Sequence, residues 1–532
     1  MDETTSKTGG VVDTTASVEK QHMNADELRL AQMGHTQELK RHFTIVSLIG
    51  LASTTTISWT GLGLGIVTEI NAGGPGAIIY GFILVTFLQM FLGASLGEFV
   101  SSYPTEGGMY HWIAAVAPKK MMAFLSFVTG WFTCFGWIFT TASTNLIYAQ
   151  TLAALIVLYH ADLELQTWQT FIIYQGLNLA TAGVVMFGNR IIPALNRFSL
   201  FYLQLGWLAV LVTVVACAPT HQSPEFVFKT WINNTGWENQ LGGLDGVTHI
   251  TEEMPNVSIP PQLTLSDPFS IRILRRRHEN WMLTLREQPS RNAPLAIAIT
   301  LTIAFCTGLT YLIALMFSVQ DYSALASTPT GLPLAELFRQ VTQSSGGAFG
   351  LTFVLFVALG PCVVSSQLST SRVLWAFARD DAVPLSRLVA RVSPRFGVPL
   401  NAQLAVAACV AALGCLYLGS TTAFNSMLGA AVTINNVAYL IPIGTNMLTG
   451  RRHMHRGHFH LGDFWGWVVN GVTVGWLLFA IVFFSFPYSM PVAAESMNYT
   501  CVVVGALPFV ILVWWFVARG DYKRKISTHK EH

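Results

Sequence analysis

The chain has 532 residues, of which 52% are hydrophobic and only 11% charged, with a formal net charge of +2. A soluble domain carries about 25% charge, so this chain cannot clothe itself for water and lipid must solvate most of it. The small net charge gives no footing for nucleic acid as a partner.

Residues 1–42 are polar and read as a tail whose first twenty or so residues are disordered. Acidic Asp2 and Glu3 stand where a secretory leader needs basic residues. Residues 26–41 suit either a short amphipathic helix or a solvated tail. Apolar segments then recur near the ~20 residues a spanning helix needs. Spans are expected at 44–70, 75–100, 122–150, 168–188, 193–218, 293–318, 346–372, 400–419, 424–448, 465–486 and 498–518. A stub at 241–250 and a basic stretch at 257–288, holding Arg272, Arg275, Arg276 and Arg277, fit none of these.

Basic residues set the orientation. Lys119 and Lys120, Arg190 and Arg197, Arg379 to Arg395, Arg451 to Arg456, and the tail from Arg519 fall in alternate loops, which places those loops and both termini in the cytoplasm. The sequons at Asn233 and Asn498 then face outside, which fits glycosylation. Between Asn233 and the span at 293 this scheme requires one more crossing. The stub alone is available, and ten helical residues rise about 15 Å, half of the ~30 Å hydrocarbon.

The seven cysteines lie in apolar stretches without CxxC spacing, so no zinc site or disulfide framework is indicated. No phosphate-binding loop, catalytic triad or metal cluster emerges. A pump with its own ATPase and an enzyme are therefore not expected, and neither is a cofactor.

Three stretches carry a resemblance. They are SWTGLGLGIVTEINAGGPGAIIYG at 58–81 with GASLGEFVSSYPTEGGMYHW at 93–112; SRVLWAFARDDAVPLS at 371–386 with GVPLNAQ at 397–403; and FFSFPYSMPVAAESMNYTCVV at 483–503. Together they resemble the fungal amino acid/choline transporter family, choline and 4-aminobutyrate permease-like, of the amino acid–polyamine–organocation (APC) superfamily. The resemblance implies an all-α polytopic membrane protein with the twelve-helix inverted-repeat fold. It also implies first and sixth helices broken near mid-membrane, where backbone groups hold the solute. Against that family the first half of helix 6 is missing, and residues 257–288 interrupt a motif that runs from EEMPN at 252–256 to PSRNAPLAI at 289–297. The interruption reads as a cytoplasmic insertion or a retained intron.

The family frame and the residues together nominate a site. ASTTTISWTGLGLG at 52–65 mixes hydroxyls and glycines into an apolar span, which suits either a helix break or close helix packing. Thr56, Ser58, Trp59 and Gly61 are the solute contacts expected there. Gly242, Gly243 and Asp245 are the candidates in the sixth-span stub, since a carboxylate at membrane depth is costly; capping of a helix end is the alternative. Trp137 offers an aromatic face for a cationic solute, and Thr140 lies one turn away. Ser365, Gln367 and Asn435 line the pathway or join helices. Glu98 is read as a gating or anchoring residue beyond solute contact. Some superfamily members couple to protons through a fifth-span lysine; here that segment offers Arg197, which does not deprotonate.

The expected solute is a small amine or amino acid such as choline or 4-aminobutyrate, moved across the plasma membrane with H+ as the coupling ion. The alternatives are a specialised cationic metabolite such as an alkaloid, and a non-transporting sensor or inactive product.

Overall fold

The computed structural model describes residues 45–236 and 289–528, apart from 56–57, 64–65, 106, 161–162, 164, 327, 329, 488–489 and 494–496. The tail with its 26–41 segment, the 241–250 stub and the 257–288 interruption lie outside the described residues. Every regular element among the described residues is helical.

The first span is interrupted. Helix α1 (Ile45–Thr55) is followed by the four-residue α2 (Ser58–Gly61), a turn at Leu62 and Gly63, and the start of α3 (Ile66–Ser102). Gly63 has φ +91°, a conformation closed to most side chains. Near the end of α1 the threonine hydroxyls turn back onto their own helix. Thr54 Oγ1 donates to Leu51 O at 2.9 Å, and Thr55 Oγ1 to Leu51 O and Ala52 O at 2.9 and 3.0 Å. These are the bonds that threonine makes to the preceding turn within a helix.

A second break lies inside α3. Gly74 has φ 76° and ψ −179°, and Pro75 after it has no N–H to donate. This bend separates the expected spans 44–70 and 75–100. Residues 230–236 lie across it, with Ile232 N bonded to Gly73 O at 3.2 Å and Asn234 N to Asn71 O at 2.8 Å. A Cβ on Gly74 would stand 2.8 Å from Ile232 N.

The short α4 (Met109–Val116) leads to α5 (Met122–Tyr159), which is 38 residues long. Next come α6 (Thr167–Phe187), α7 (Ile192–Cys217) and the short α8 (Pro224–Lys229). After the undescribed segment come α9 (Pro289–Ser318), short α10 (Tyr322–Ala326) and α11 (Pro333–Thr342), and α12 (Ser345–Arg379). The chain finishes with α13 (Ser386–Val389), α14 (Leu400–Gly419), α15 (Thr421–Leu448), α16 (Asp463–Phe483) and α17 (Thr500–Thr528). Nine of the described helices are long and apolar enough to cross a membrane. The interrupted first segment and α15 account for the remaining two expected spans.

Helices approach where side chains are absent. A Cβ on Gly130 of α5 would meet the Phe377 ring of α12 at 2.3 Å, and one on Gly136 would meet Asn435 Oδ1 of α15 at 2.2 Å. One on Gly308 of α9 would meet Phe82 of α3 at 2.6 Å. Such close approach is how spanning helices gain van der Waals contact when lipid is as apolar as leucine. Large apolar residues face outward instead: Phe201, Leu205 and Val212 on α7, and Phe509, Val513 and Phe516 on α17 are all exposed. In water this surface would aggregate; in hydrocarbon it is solvated.

One end of the bundle is tied by polar contacts. Asp380, just past α12, accepts from Tyr110 Oη at 2.8 Å and lies 2.9 Å from His111 Nε2. Burial first, then the Asp380 charge, pushes the Tyr110 phenol well above its ordinary range. Helix α17 runs ten residues beyond the expected span end at 518 and joins this end. Its Tyr522 is fully buried and shares a 2.8 Å hydrogen bond with Ser126 Oγ. The Tyr522 ring stacks edge-on to Phe127 at 5.2 Å, an arrangement worth about 0.5–1.5 kcal/mol beyond burial.

Candidate functional site

The break between α1 and α3 interrupts the helical ladder of the first span inside the bundle. Trp59, on the one turn of helix within the break, is fully buried. Its Nε1 donates to Leu203 O of α7 at 3.0 Å, and its ring meets Tyr311 of α9 edge-on at 5.7 Å. Gly61 closes that turn and is buried. Thr56 lies outside the described residues, as does the side chain of Ser58.

Just before the break, three helices share a chain of hydroxyls and an amide. Thr54 Oγ1 lies 3.2 Å from Ser365 Oγ of α12, and Ser365 Oγ donates to Asn196 Oδ1 of α7 at 3.3 Å. All three residues are buried. Asn196 fills the inward position of the fifth span. Its neighbour Arg197 is exposed, and its bond among the described residues is to the carbonyl of Pro193, at 3.3 Å. The arginine therefore takes no part in the interior.

The aromatic third span packs against α12 and α15. Trp137 is buried and its carbonyl accepts from Thr141 Oγ1 at 2.9 Å and from Thr370 Oγ1 of α12 at 3.0 Å. Thr140 is half-buried; its Oγ1 donates to Gly136 O at 2.8 Å and accepts from Asn435 Nδ2 at 3.3 Å. Asn435 Oδ1, buried against Gly136, has no hydrogen-bond partner among the described residues.

The structure thus joins Ser365 to the first span and Asn435 to Thr140. It sends Gln367 elsewhere: Oε1 accepts from Thr181 Oγ1 at 2.7 Å and Nε2 donates to Asn178 Oδ1 at 3.3 Å, both on α6. Gly242, Gly243 and Asp245 lie outside the described residues. Three interior residues were not nominated from sequence: Thr54, Asn196 and Glu69. Glu69 is 1% exposed and is the sole carboxylate of the expected 44–70 span. That signal was readable, since an acid within a span is a site candidate by default.

Glu98 sits at the other end of α3, 1% exposed. Its Oε1 receives Arg451 Nη2 at 2.7 Å and Leu461 N at 3.2 Å, and lies 2.7 Å from His460 Nδ1. Nearby, Ser101 Oγ accepts from Phe459 N at 2.8 Å, and Tyr103 Oη bonds His453 O and His455 N at 3.0 and 3.1 Å. The loop between α15 and α16 is strapped to the end of α3 through these contacts. The partners of the Glu98 carboxylate among the described residues are Arg451, His460 and Leu461 of that loop. Of the sequons, Asn233 is exposed and its Oδ1 accepts from Thr235 N at 3.2 Å and Thr235 Oγ1 at 2.7 Å. Asn498 is 1% exposed and its Nδ2 donates to Phe484 O at 2.9 Å. Among the described residues no three His, Cys, Asp or Glu side chains gather as a metal site.

The amino acid permease family profile matches residues 43–258 and 279–507. The gap between the two matched segments falls inside the 257–288 interruption. The choline transporter of Saccharomyces cerevisiae is 34% identical over 93% of this chain and 84% of its own. The amino-acid permease BAT1 homolog of Oryza sativa is 28% identical over 94% of this chain and 95% of its own. The swainsonine transporter of Arthroderma benhamiae is 28% identical over 90% and 91%.

Proposed function

Because the chain belongs to the amino acid permease family, and is a transporter and not an enzyme, we propose that its solute is a small amine such as choline or 4-aminobutyrate, or another amino acid. The observation that carries this reading is the break of the first span, opened by Gly63 and backed by Trp59, Thr54 and Ser365. The broken spans of such transporters present backbone carbonyls and N–H groups that suit an ammonium or a carboxylate. Trp137, Thr140 and the unspent Asn435 Oδ1 face the solute from the third and tenth spans. Thr56, Ser58 and Gly61, with Gly242, Gly243 and Asp245 of the sixth-span stub, complete the site on sequence grounds. The choline transporter relative supports the quaternary amine, and the swainsonine transporter supports a second reading, a specialised cationic metabolite.

The test is uptake of labelled choline and of labelled 4-aminobutyrate into a yeast strain lacking its own transporters. Saturable uptake of either supports the first reading. Uptake of neither, with uptake of swainsonine, selects the second.

The coupling ion in this reading is H+, the membrane is the plasma membrane, and the basic loops and both termini face the cytoplasm. A protonophore is then expected to collapse uptake, while replacing external sodium leaves it unchanged. Asn196, and not a lysine, stands at the inward fifth-span position. That leaves Glu69 as the buried acid on the broken span able to carry a proton.

Orientation predicts a modification. Asn233 is exposed with its sequon threonine already folded onto the amide, whereas a glycan on Asn498 would have to displace the bond to Phe484 O. Asn233→Gln should abolish the gel shift produced by peptide N-glycosidase F, and Asn498→Gln should leave it intact. A shift that survives Asn233→Gln would place residues 230–236 inside or the glycan elsewhere.

A further inference from the structure

Helices α3 and α9 leave a cavity of about 730 Å³ between them, lined among the described residues by Met90, Gly93, Ala94 and Gly97 of α3 and by Arg291, Leu295, Ala298 and Thr302 of α9. It lies within the ~300–1,000 Å³ span of small-ligand sites. His458 and Phe459 of the strapped loop close one end. The cavity is on the outer flank: Arg291, Leu295, Ala298 and Thr302, spaced by three or four residues, form one exposed stripe of α9. That flank faces lipid in a spanning helix. The space exists because three glycines or alanines of α3 and Ala298 of α9 face it. A Cβ on Gly97 would make only ordinary contacts, 3.5 Å to Pro294 Cβ and 3.6 Å to Phe459 Cε1, so packing among these residues does not demand the glycine.

The two ends differ chemically. Thr302, Leu301 and Met90 make one end nearly apolar, while Arg291 and His458, both exposed, bring two hydrogen-bond donors and a fixed positive charge to the other. Arg291 also lies in the first turn of the 30-residue α9, where the helix dipole adds positive potential. The neighbouring Arg451 does not add to this charge, since Glu98 neutralises it. A trench with an apolar body and a cationic rim at a helix end matches one acyl chain with an anionic headgroup.

We propose that this groove holds an anionic phospholipid, its phosphate on Arg291 and His458 and one acyl chain between α3 and α9. The lipid touches Phe459 of the strapped loop, so it bridges α3, α9 and the α15–α16 connection. This site is separate from the solute pathway, and its test needs no solute.

The full-length protein, purified in mild detergent and exchanged into equal amounts of dioleoyl phosphatidylserine and phosphatidylcholine, is examined by native mass spectrometry. One phosphatidylserine should be retained in about fivefold preference, the factor expected from roughly one kilocalorie for the single fixed charge of Arg291. Arg291→Gln with His458→Gln should erase the preference. Ala298→Phe should lower retention of both lipids, and Gly97→Leu, which fills the same space from α3, provides a second test should the first variant elute as aggregate. Millimolar inorganic phosphate should not displace the lipid. Equal retention of the two lipids by the wild type, or an unchanged preference in the double variant, would overturn the proposal.

Discussion

Glu98→Ala is expected to lower the stability of the folded protein by about 3–5 kcal/mol, the cost of leaving one member of a buried ion pair alone. The Arg451 guanidinium is 6% exposed and loses its 2.7 Å carboxylate partner, while the backbone N–H of Leu461 loses its acceptor. Removing both charges is a different experiment. Glu98→Leu with Arg451→Met leaves no uncompensated ion, so most of the loss should return. Detergent-solubilised thermal unfolding, read by size-exclusion chromatography of a fluorescent fusion, orders the three proteins. A single variant as stable as the wild type would mean that water reaches the pair, contrary to its burial.

Gly63→Val is expected to reduce solute uptake at least tenfold while protein still reaches the membrane. At φ +91° a β-branched residue carries strain of about 1–3 kcal/mol. Its Cβ would also stand 3.1 Å from Leu315 Cδ1. The chain relieves both by changing its local path, and with that path go the backbone groups of the break. Gly63→Asn should do less harm, because asparagine tolerates positive φ better than other side chains. Initial uptake rates, normalised to surface protein, make the comparison. Wild-type uptake by the valine variant would show that the break is not where the solute binds.

The spans were legible because a spanning helix must be long and apolar, and eleven such segments have helices where they were expected. Their ends were less so. Hydrocarbon thickness sets a minimum length and no maximum, and α5 continues through the equally apolar TLAALIVLY to Tyr159. Past Ala518 the charges of α17 suggested a cytoplasmic tail beyond the span, and within it Tyr522 and Ile526, one turn apart, are buried. The break in the first span showed itself through its hydroxyls and glycines. Helix facing did not show itself. Residues two apart differ by about 200° around the axis, so Ser365 and Gln367 could not both look at the first span, though both are polar. Consecutive residues differ by about 100°, which is enough to separate inward Asn196 from outward Arg197. Nor could any local pattern pair Glu98 with Arg451, because that contact joins residues 353 positions apart.

The strap over the end of α3 restricts how the molecule can change shape. With Glu98, Ser101 and Tyr103 all bonded to the 451–462 loop, the lower part of α3 and the α15–α16 hairpin travel as one rigid body. Rocking between inward-open and outward-open states must then flex at other joints. The bend at Gly74 and Pro75 interrupts α3 ahead of the anchored part, and residues 230–236, bonded across it at Asn71 and Gly73, would have to move with the first span.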